Sequence, residues 1–226
     1  MGDVVEIPMR QVRAIEWPLP WGPVVRGFAW DGGPDTAFLL HDPGSDVDAW
    51  GTLPIQIARD LEIETVALDL PGHGLSDDPW ERERLPELLR YLSEMTPLSK
   101  RRFVISAGAT ALVALELAAE LELSGLICLS PDSPDEVRSV PRSPRVPKLI
   151  VAGSIAGHDL DTARRLAANC GGWAVVTSLP VTERGTTLLA SSWGARLTEE
   201  IGAFLRDCQQ RPLPATRNTS NPPQSA

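Results

Sequence analysis

The chain has 226 residues, of which 42% are hydrophobic and 23% charged, and its formal net charge is −9 at pH 7. This length and apolar content predict one compact domain with a large core and exclude disorder over the whole chain. The negative charge leaves few cations to neutralise phosphates, so we expect neither nucleic acid nor an anionic membrane surface as a partner.

Strands and helices alternate along the chain, which predicts the α/β class. The first two strands flank a Pro- and Gly-rich turn and are expected to form a hairpin. In chain order, the predicted elements are strands 11–17, 24–30 and 36–40, helix 47–61, strand 65–70, helix 79–95, strand 102–105, helix 109–123, strands 126–129 and 148–152, helix 161–169, strand 173–176 and helix 197–208.

Short, evenly apolar strands separated by helices indicate a mostly parallel central sheet with helices on both faces. We therefore predict one domain over residues 1–208. Residues 209–226 are rich in Pro, Ser, Thr, Asn and Gln without apolar periodicity, and we expect a disordered C-terminal tail.

The cysteine pattern and the absence of a signal bear on compartment and cofactors. Cys128, Cys170 and Cys208 are odd in number and far apart, so they predict neither a disulfide framework nor a metal site. Residues 1–13 contain acidic side chains and no apolar run of signal-peptide length, and no stretch reaches the roughly 20 apolar residues of a membrane span. We expect a cytoplasmic protein without a metal or other cofactor.

Four local motifs carry a resemblance to a known family. The motif 66–77, with Asp69, Pro71-Gly72-His73-Gly74 and Ser76, is the most specific of them. The others are the His-containing loop 39–45, the strand, turn and apolar helix of 103–131, and the segment 185–189. In order and spacing these motifs resemble the α/β-hydrolase superfamily, and in particular its lidless, esterase-like or lipase-like members. The short interval between residues 131 and 148 implies no cap domain.

The resemblance leaves two alignments of the nucleophile elbow open. In the favoured one, Gly108 stands at the position of the nucleophilic serine and Ala109 follows it, so the usual nucleophile is lost. In the other, Ser106 is the nucleophile, which shifts Arg101 and Arg102 into the buried central strand at a cost for unpaired charge.

The resemblance places Arg184 where the catalytic histidine is expected, just before Gly185. A guanidinium stays protonated in proteins and cannot act as a general base. His41 and His73 match structural histidines of the family's turns. His158, after the seventh predicted strand, is a surface histidine in the favoured interpretation and the base in the alternative one.

The acid and the oxyanion loop also depart from the family pattern. Asp159 or Asp161 lies where the acid is usual, although we favour either residue as the N-cap of the following helix. Asp132 marks a second location for the acid. Asp42 replaces the glycine of the His-Gly loop and brings negative charge to the oxyanion position. An ion pair between Asp42 and Arg184 would fill the site.

Seven tryptophans stand out in a chain with one tyrosine. Packing is the ordinary role for each of them, and an aromatic pocket built from Trp80 and Trp193 is the functional alternative.

Three functions remain open. The favoured one is a non-catalytic pseudo-hydrolase that binds a small molecule or a protein partner. The alternative is an active serine hydrolase of the carboxylic-ester type, with Ser106, His158 and Asp159 as its triad. The third is a structural or assembly role.

Overall fold

A single eight-stranded sheet organises the computed structural model, which describes residues 12–96, 98–132, 140–155 and 158–213. The strand order is β1-β2-β4-β3-β5-β6-β7-β8. β1 and β2 are antiparallel to their neighbours, and the remaining pairs are parallel. The strands are β1 (Val12–Pro18), β2 (Val24–Trp30), β3 (Asp35–Leu40), β4 (Ile63–Leu68), β5 (Arg102–Ala107), β6 (Gly125–Leu129), β7 (Lys148–Gly153) and β8 (Ala174–Leu179).

Helices cover both faces of the sheet, as the sequence predicted. Helices α2, α3 and α4 bury their apolar residues against one face, and α1 and α5 bury theirs against the other. None of the described helices combines the length and apolar character needed to cross a bilayer. The helices are α1 (Leu53–Leu61), α2 (Leu85–Met95), α3 (Gly108–Leu117), α4 (His158–Cys170) and α5 (Gly194–Gln210).

Two predicted helices begin later than expected. The helix expected over 47–61 is a 3-10 turn at Val47–Trp50 followed by α1, and the helix expected over 79–95 is α-helical only from Leu85. Pro54 and Pro86 lie in the first turns of α1 and α2. Proline lacks an N–H group and is tolerated only in a first turn, so it fixes each start. Asp46 caps the 3-10 turn, since its side chain accepts a hydrogen bond from the Asp48 amide at 3.0 Å.

The last helix ends later than predicted. Helix α5 continues through Gln210, so the first two residues of the predicted tail are helical. The Gln209 side chain donates to Asp35 Oδ2 at 3.0 Å, which anchors the end of α5 beside the start of β3. Residues 214–226 of the predicted tail lie outside the described residues. In the connection from β6 to β7, the described part, residues 140–147, contains no helix.

The first residue of β7, Lys148, is a buried lysine that holds neighbouring loops by hydrogen bonds. Lys148 is 0% exposed, and its Nζ donates to the carbonyl oxygens of Ser143 at 2.6 Å, Val146 at 2.8 Å and Gly171 at 3.0 Å. Burial lowers the pKa of Lys148. Because an ammonium group has three donors, all its hydrogen-bonding capacity is used inside the protein.

Candidate functional site

The turn from β5 into α3 has a glycine at its tip. β5 ends at Ala107 in an extended conformation, and Gly108 begins α3 with a φ of 54°. This left-handed conformation is one that glycine adopts readily. Ala109 follows inside the helix and is 7% exposed. The elbow turn, residues 106–110, therefore presents no hydroxyl at its tip, where the favoured alignment places the nucleophile.

The side chain of Asp42 fills the space beside this tip. A Cβ atom added to Gly108 would lie 2.8 Å from the Asp42 Cβ, which is closer than packed carbon atoms approach. A Cβ atom added to Gly185 would overlap the Asp42 carboxylate. Gly185 also has a φ of 54°. Asp42 thus sits between two glycines, and its packing requires that neither position carries a side chain.

The Asp42 carboxylate is held from the loop after β8. Oδ1 accepts a hydrogen bond from Thr186 Oγ1 at 2.9 Å, and the Thr186 amide lies at 3.5 Å from the same oxygen. Thr186 is 2% exposed. Sequence reasoning missed this partner, although the adjacent Gly185-Thr186 pair was part of the motif that resembled the family.

Arg184 binds two carboxylates from two different loops. Its Nε donates to Asp159 Oδ2 at 2.6 Å, and its Nη2 donates to Asp132 Oδ1 at 3.0 Å. Burial alone would lower the pKa of Arg184, but the hydrogen bond to Asp159 and the nearby negative charges raise it. Two of the three carboxylates that the resemblance offers as the acid, Asp159 and Asp132, therefore bind a permanent cation. We call these three residues the Arg184 network.

The ion pair between Asp42 and Arg184 that would fill the site does not form among the described residues. In the described part of the chain, the salt bridges of Arg184 are with Asp159 and Asp132, while Asp42 acts on it only as a nearby charge. The preferred N-cap roles of Asp159 and Asp161 are also wrong. α4 begins at His158, earlier than predicted, so both aspartates lie within its first turn.

Ser106 lies inside the sheet. It pairs with Leu40 of β3 and Cys128 of β6, is 0% exposed, and its Oγ has no hydrogen-bond partner among the described residues. A hydroxyl in this position cannot meet a substrate from solvent. The sequence analysis argued against Ser106 because it would bury an unpaired charge at Arg102. This cost does not arise, because the Arg102 guanidinium donates to the Thr96 carbonyl at 3.1 and 3.2 Å.

Two histidines use both ring nitrogens in hydrogen bonds with the backbone. His41 Nε2 accepts from the Leu70 amide at 3.0 Å, so Nδ1 carries the proton and donates to the Asp42 carbonyl at 2.8 Å. His73 Nε2 accepts from the Gly44 amide at 2.9 Å, and its Nδ1 lies 3.0 Å from the Pro71 carbonyl. Burial lowers the pKa of His41. These bonds hold two loops together and leave neither ring free to act as a base.

His158 is the first residue of α4. Its side chain lies outside what the structure describes, so its predicted role as an alternative base stays a prediction.

The expected aromatic pocket has a different composition. Trp80 lines a cleft with Trp21, whereas Trp193 packs against the core on the opposite face of the sheet. The Arg196 guanidinium lies 5.7 Å from the Trp193 ring centroid. Trp80 and Trp193 therefore do not share a site.

Solved structures identify the fold. A predicted CIB-like hydrolase from Thermoplasma acidophilum is similar to this chain with a TM-score of 0.71 and 14% identity, over 88% of this chain and 99% of that one. The esterase Pf2001 from Pyrococcus furiosus has a TM-score of 0.65 and 17% identity over 88% and 91%. An alpha-beta serine hydrolase homologue from Coxiella burnetii has a TM-score of 0.63 and 16% identity over 86% and 96%.

No protein-family model and no curated protein matches the sequence. The structural similarity establishes that the chain has the α/β-hydrolase fold, as its motifs predicted. At identities of 14–17% the similarity extends to the fold alone.

Proposed function

We propose that this chain uses the α/β-hydrolase fold without hydrolase chemistry, as a non-catalytic pseudo-hydrolase that binds a small molecule or a protein partner. The packing of Asp42 between Gly108 and Gly185 carries the proposal. A serine at position 108 would need the volume that Asp42 already occupies. The site therefore lacks the nucleophilic hydroxyl, and the Asp42 carboxylate occupies the space beside that position.

The remaining groups cannot supply the reaction together. Acyl transfer needs a nucleophile, a base that accepts its proton, and donors for the oxyanion. Arg184 remains charged, and its two carboxylates are bound to it. Asp42 adds negative charge beside the elbow turn, where a developing oxyanion needs donors. In the serine protease subtilisin, loss of the serine or histidine alone lowers kcat by about 10⁶-fold, and the remaining triad members do not compensate.

The Arg184 network supports a binding role because its hydrogen bonds join the segments that follow three neighbouring strands. Arg184 follows β8, Asp159 follows β7 and Asp132 follows β6. One guanidinium therefore links three successive loops. A cytoplasmic location is part of the proposal, and three buried free cysteines support it.

The alternative function is a serine esterase that uses Ser106. It is favoured by the esterases among the similar structures, but Ser106 would have to leave β5 to reach a substrate.

The proposal is tested by labelling the purified full chain with a fluorophosphonate probe, with p-nitrophenyl acetate turnover measured in parallel. We expect no adduct and no turnover above the buffer rate. The matched variants are Ser106→Ala, which removes the alternative nucleophile, and Ser191→Ala, which removes a serine outside the elbow turn. An adduct mapped to Ser106, with turnover lost in Ser106→Ala and kept in Ser191→Ala, would overturn the proposal.

A further inference from the structure

A cleft between two tryptophans opens beside the turn that follows β4. Its walls come from the hairpin turn between β1 and β2, from the turn after β4 and from the start of α2. The cavity volume is about 80 Å³, which is far below the roughly 300–1,000 Å³ of a drug-sized pocket. The cleft therefore fits one small group. Its walls include Trp21, Pro23, Pro71, Pro79, Trp80 and Arg84.

Both tryptophans are fixed in place by the surrounding backbone. The Leu19 amide donates to the Pro23 carbonyl at 2.8 Å and closes the turn that carries Trp21. Trp80 packs its backbone and Cβ against Gly72, where an added Cβ would lie 2.6 Å from the Trp80 amide nitrogen. The His73 ring meets the Trp80 ring edge to face at 5.0 Å. The cleft is preformed, which lowers the entropic cost of binding.

The face of Trp21 already interacts with a cation. The Arg84 guanidinium carbon lies 5.7 Å from the Trp21 ring centroid, within the range of a cation–π contact. Arg84 is held there by Glu81 at 2.9 Å and Glu87 at 2.8 Å. Its side chain is 42% exposed, so it can be displaced toward solvent. The contact with Arg84 thus shows that the face of the Trp21 ring can bind a cationic group.

The charge around the cleft also favours a cation. Residues 78–87 contain four acidic side chains and two arginines, a formal balance of −2. The rigid proline walls are apolar and cannot solvate a small, strongly hydrated ion. A cation with an apolar surface satisfies both conditions, because it interacts with aromatic faces without needing hydrogen-bond acceptors.

We propose that the cleft between Trp21 and Trp80 is a binding site for a quaternary ammonium group, which takes the place of the Arg84 guanidinium over the Trp21 ring. The site is separate from the elbow turn and does not depend on the proposed function. Choline is the simplest probe of this chemistry, and phosphatidylcholine presents the same group at a membrane surface.

Isothermal titration calorimetry of the full chain with choline chloride tests the site. The neutral carbon analogue 3,3-dimethylbutan-1-ol is the control for shape. We expect choline to bind and the analogue to bind at least tenfold more weakly. Equal binding of the two compounds, or no binding of choline, would overturn the proposal.

Two variant pairs locate the binding. Trp21→Leu keeps an apolar wall but removes the aromatic face, and we expect roughly tenfold weaker binding. Trp193→Leu is its control, because that ring also lies 5.7 Å from an arginine but on the other side of the sheet. Arg84→Gln removes the internal competitor and should tighten binding several-fold. Arg82→Gln makes the same change in charge and should tighten it less.

The source of the ammonium group is read from a third titration with phosphatidylcholine vesicles. Vesicle binding that Trp21→Leu abolishes assigns a lipid headgroup, and binding of free choline alone assigns a small molecule. Choline affinity that is unchanged in Trp21→Leu, with normal thermal unfolding of the variant, would contradict the assignment of the site.

Discussion

Two carboxylates at the C-terminal edge of the sheet are seated against glycines in the same way. Asp69 follows β4 and packs against Gly74, and Asp42 follows β3 and packs against Gly185. Both glycines have a positive φ, and a Cβ atom on either would overlap the carboxylate. The partners differ. Asp69 is 1% exposed and accepts from two backbone amides, whereas Asp42 is half-buried and depends on Thr186.

The difference in partners indicates that Asp69 supports the fold, whereas Asp42 shapes the candidate site. The amides of Val47 and Leu75, at 2.7 and 2.8 Å from Asp69, belong to two loops whose paths depend on this carboxylate. Asp69 and Leu75 both lie in the most specific motif of the sequence, residues 66–77. Asp42 instead uses a side chain that one substitution removes. We therefore expect the region around Asp69 to control folding, and the region around Asp42 to control only what occupies the site.

The largest effect should follow Asp69→Ala. The substitution removes the charged acceptor of two part-buried hydrogen bonds, from the Val47 and Leu75 amides, and we expect a loss of roughly 3–5 kcal/mol in the free energy of unfolding. Urea denaturation followed by circular dichroism measures it. A loss no larger than that of Asp42→Ala would remove the distinction between the two regions.

Gly108→Ser tests whether Asp42 and the elbow turn are packed as one unit. A side chain in a left-handed conformation that also overlaps Asp42 should cost roughly 2–3 kcal/mol of stability. Asp42→Gly provides the missing space, so the double variant should lose less than the sum of the two single variants. If the losses in stability of the two single variants simply add in the double variant, the serine side chain does not collide with Asp42 and the two positions are not packed as one unit. The double variant should remain inactive toward esters, because Arg184 supplies no base.

His41 joins the two regions, and its titration should weaken both. Burial lowers its pKa below the ordinary value of 6.5, so near that pH the unfolded chain binds a proton that the folded protein does not. Its contribution to stability is therefore complete above pH 6.5 and is lost as the pH falls toward the folded pKa, by at most about 1.4 kcal/mol per pH unit. Urea denaturation between pH 7.5 and 5 measures this loss.

The control for this pH dependence is His41→Gln, which does not titrate and whose side-chain oxygen can accept from the Leu70 amide in place of Nε2. Its stability should fall less steeply over the same pH range. Identical slopes for the variant and the natural chain would assign the dependence to other groups.

Asp42→Ala should have the smallest effect on stability. It leaves the Thr186 hydroxyl without its acceptor, but only this one hydroxyl bond is lost and Asp42 itself is half-buried, so we expect a loss of about 1 kcal/mol. Thermal unfolding by calorimetry checks the value. A loss above about 3 kcal/mol would place Asp42 in the scaffold with Asp69.

The fold could be predicted from the sequence because its signals are local. Apolar runs, helical spacing and the turn after β4 each occupy a few consecutive residues, and their order determines the sheet. The errors have local causes too. Pro54 and Pro86 set helix starts that hydrophobic spacing alone places too early, and the end of α5 depends on the contact of Gln209 with Asp35, far away in the sequence.

The site was predictable only in part, because its bonds join distant loops. Sequence alone indicated Gly108 and Arg184 as altered positions, and the structure places Gly108 at the tip of the elbow turn. The sequence alone could not identify which aspartates bind Arg184, because the pairing depends on how segments after three different strands come together in the fold. Their functional meaning stays a prediction until the labelling experiment is done.

The burial of Lys148 has a practical consequence. The chain contains two lysines, Lys100 and Lys148, and Lys100 is exposed. Of the two lysines, amine-reactive reagents should therefore modify Lys100 in the native protein and spare Lys148, whose amine is enclosed by three carbonyls. A fluorophore can be attached at the start of β5, at the end of the sheet opposite the elbow turn. Modification of Lys148, detected by mass spectrometry, would then report each opening of the native state.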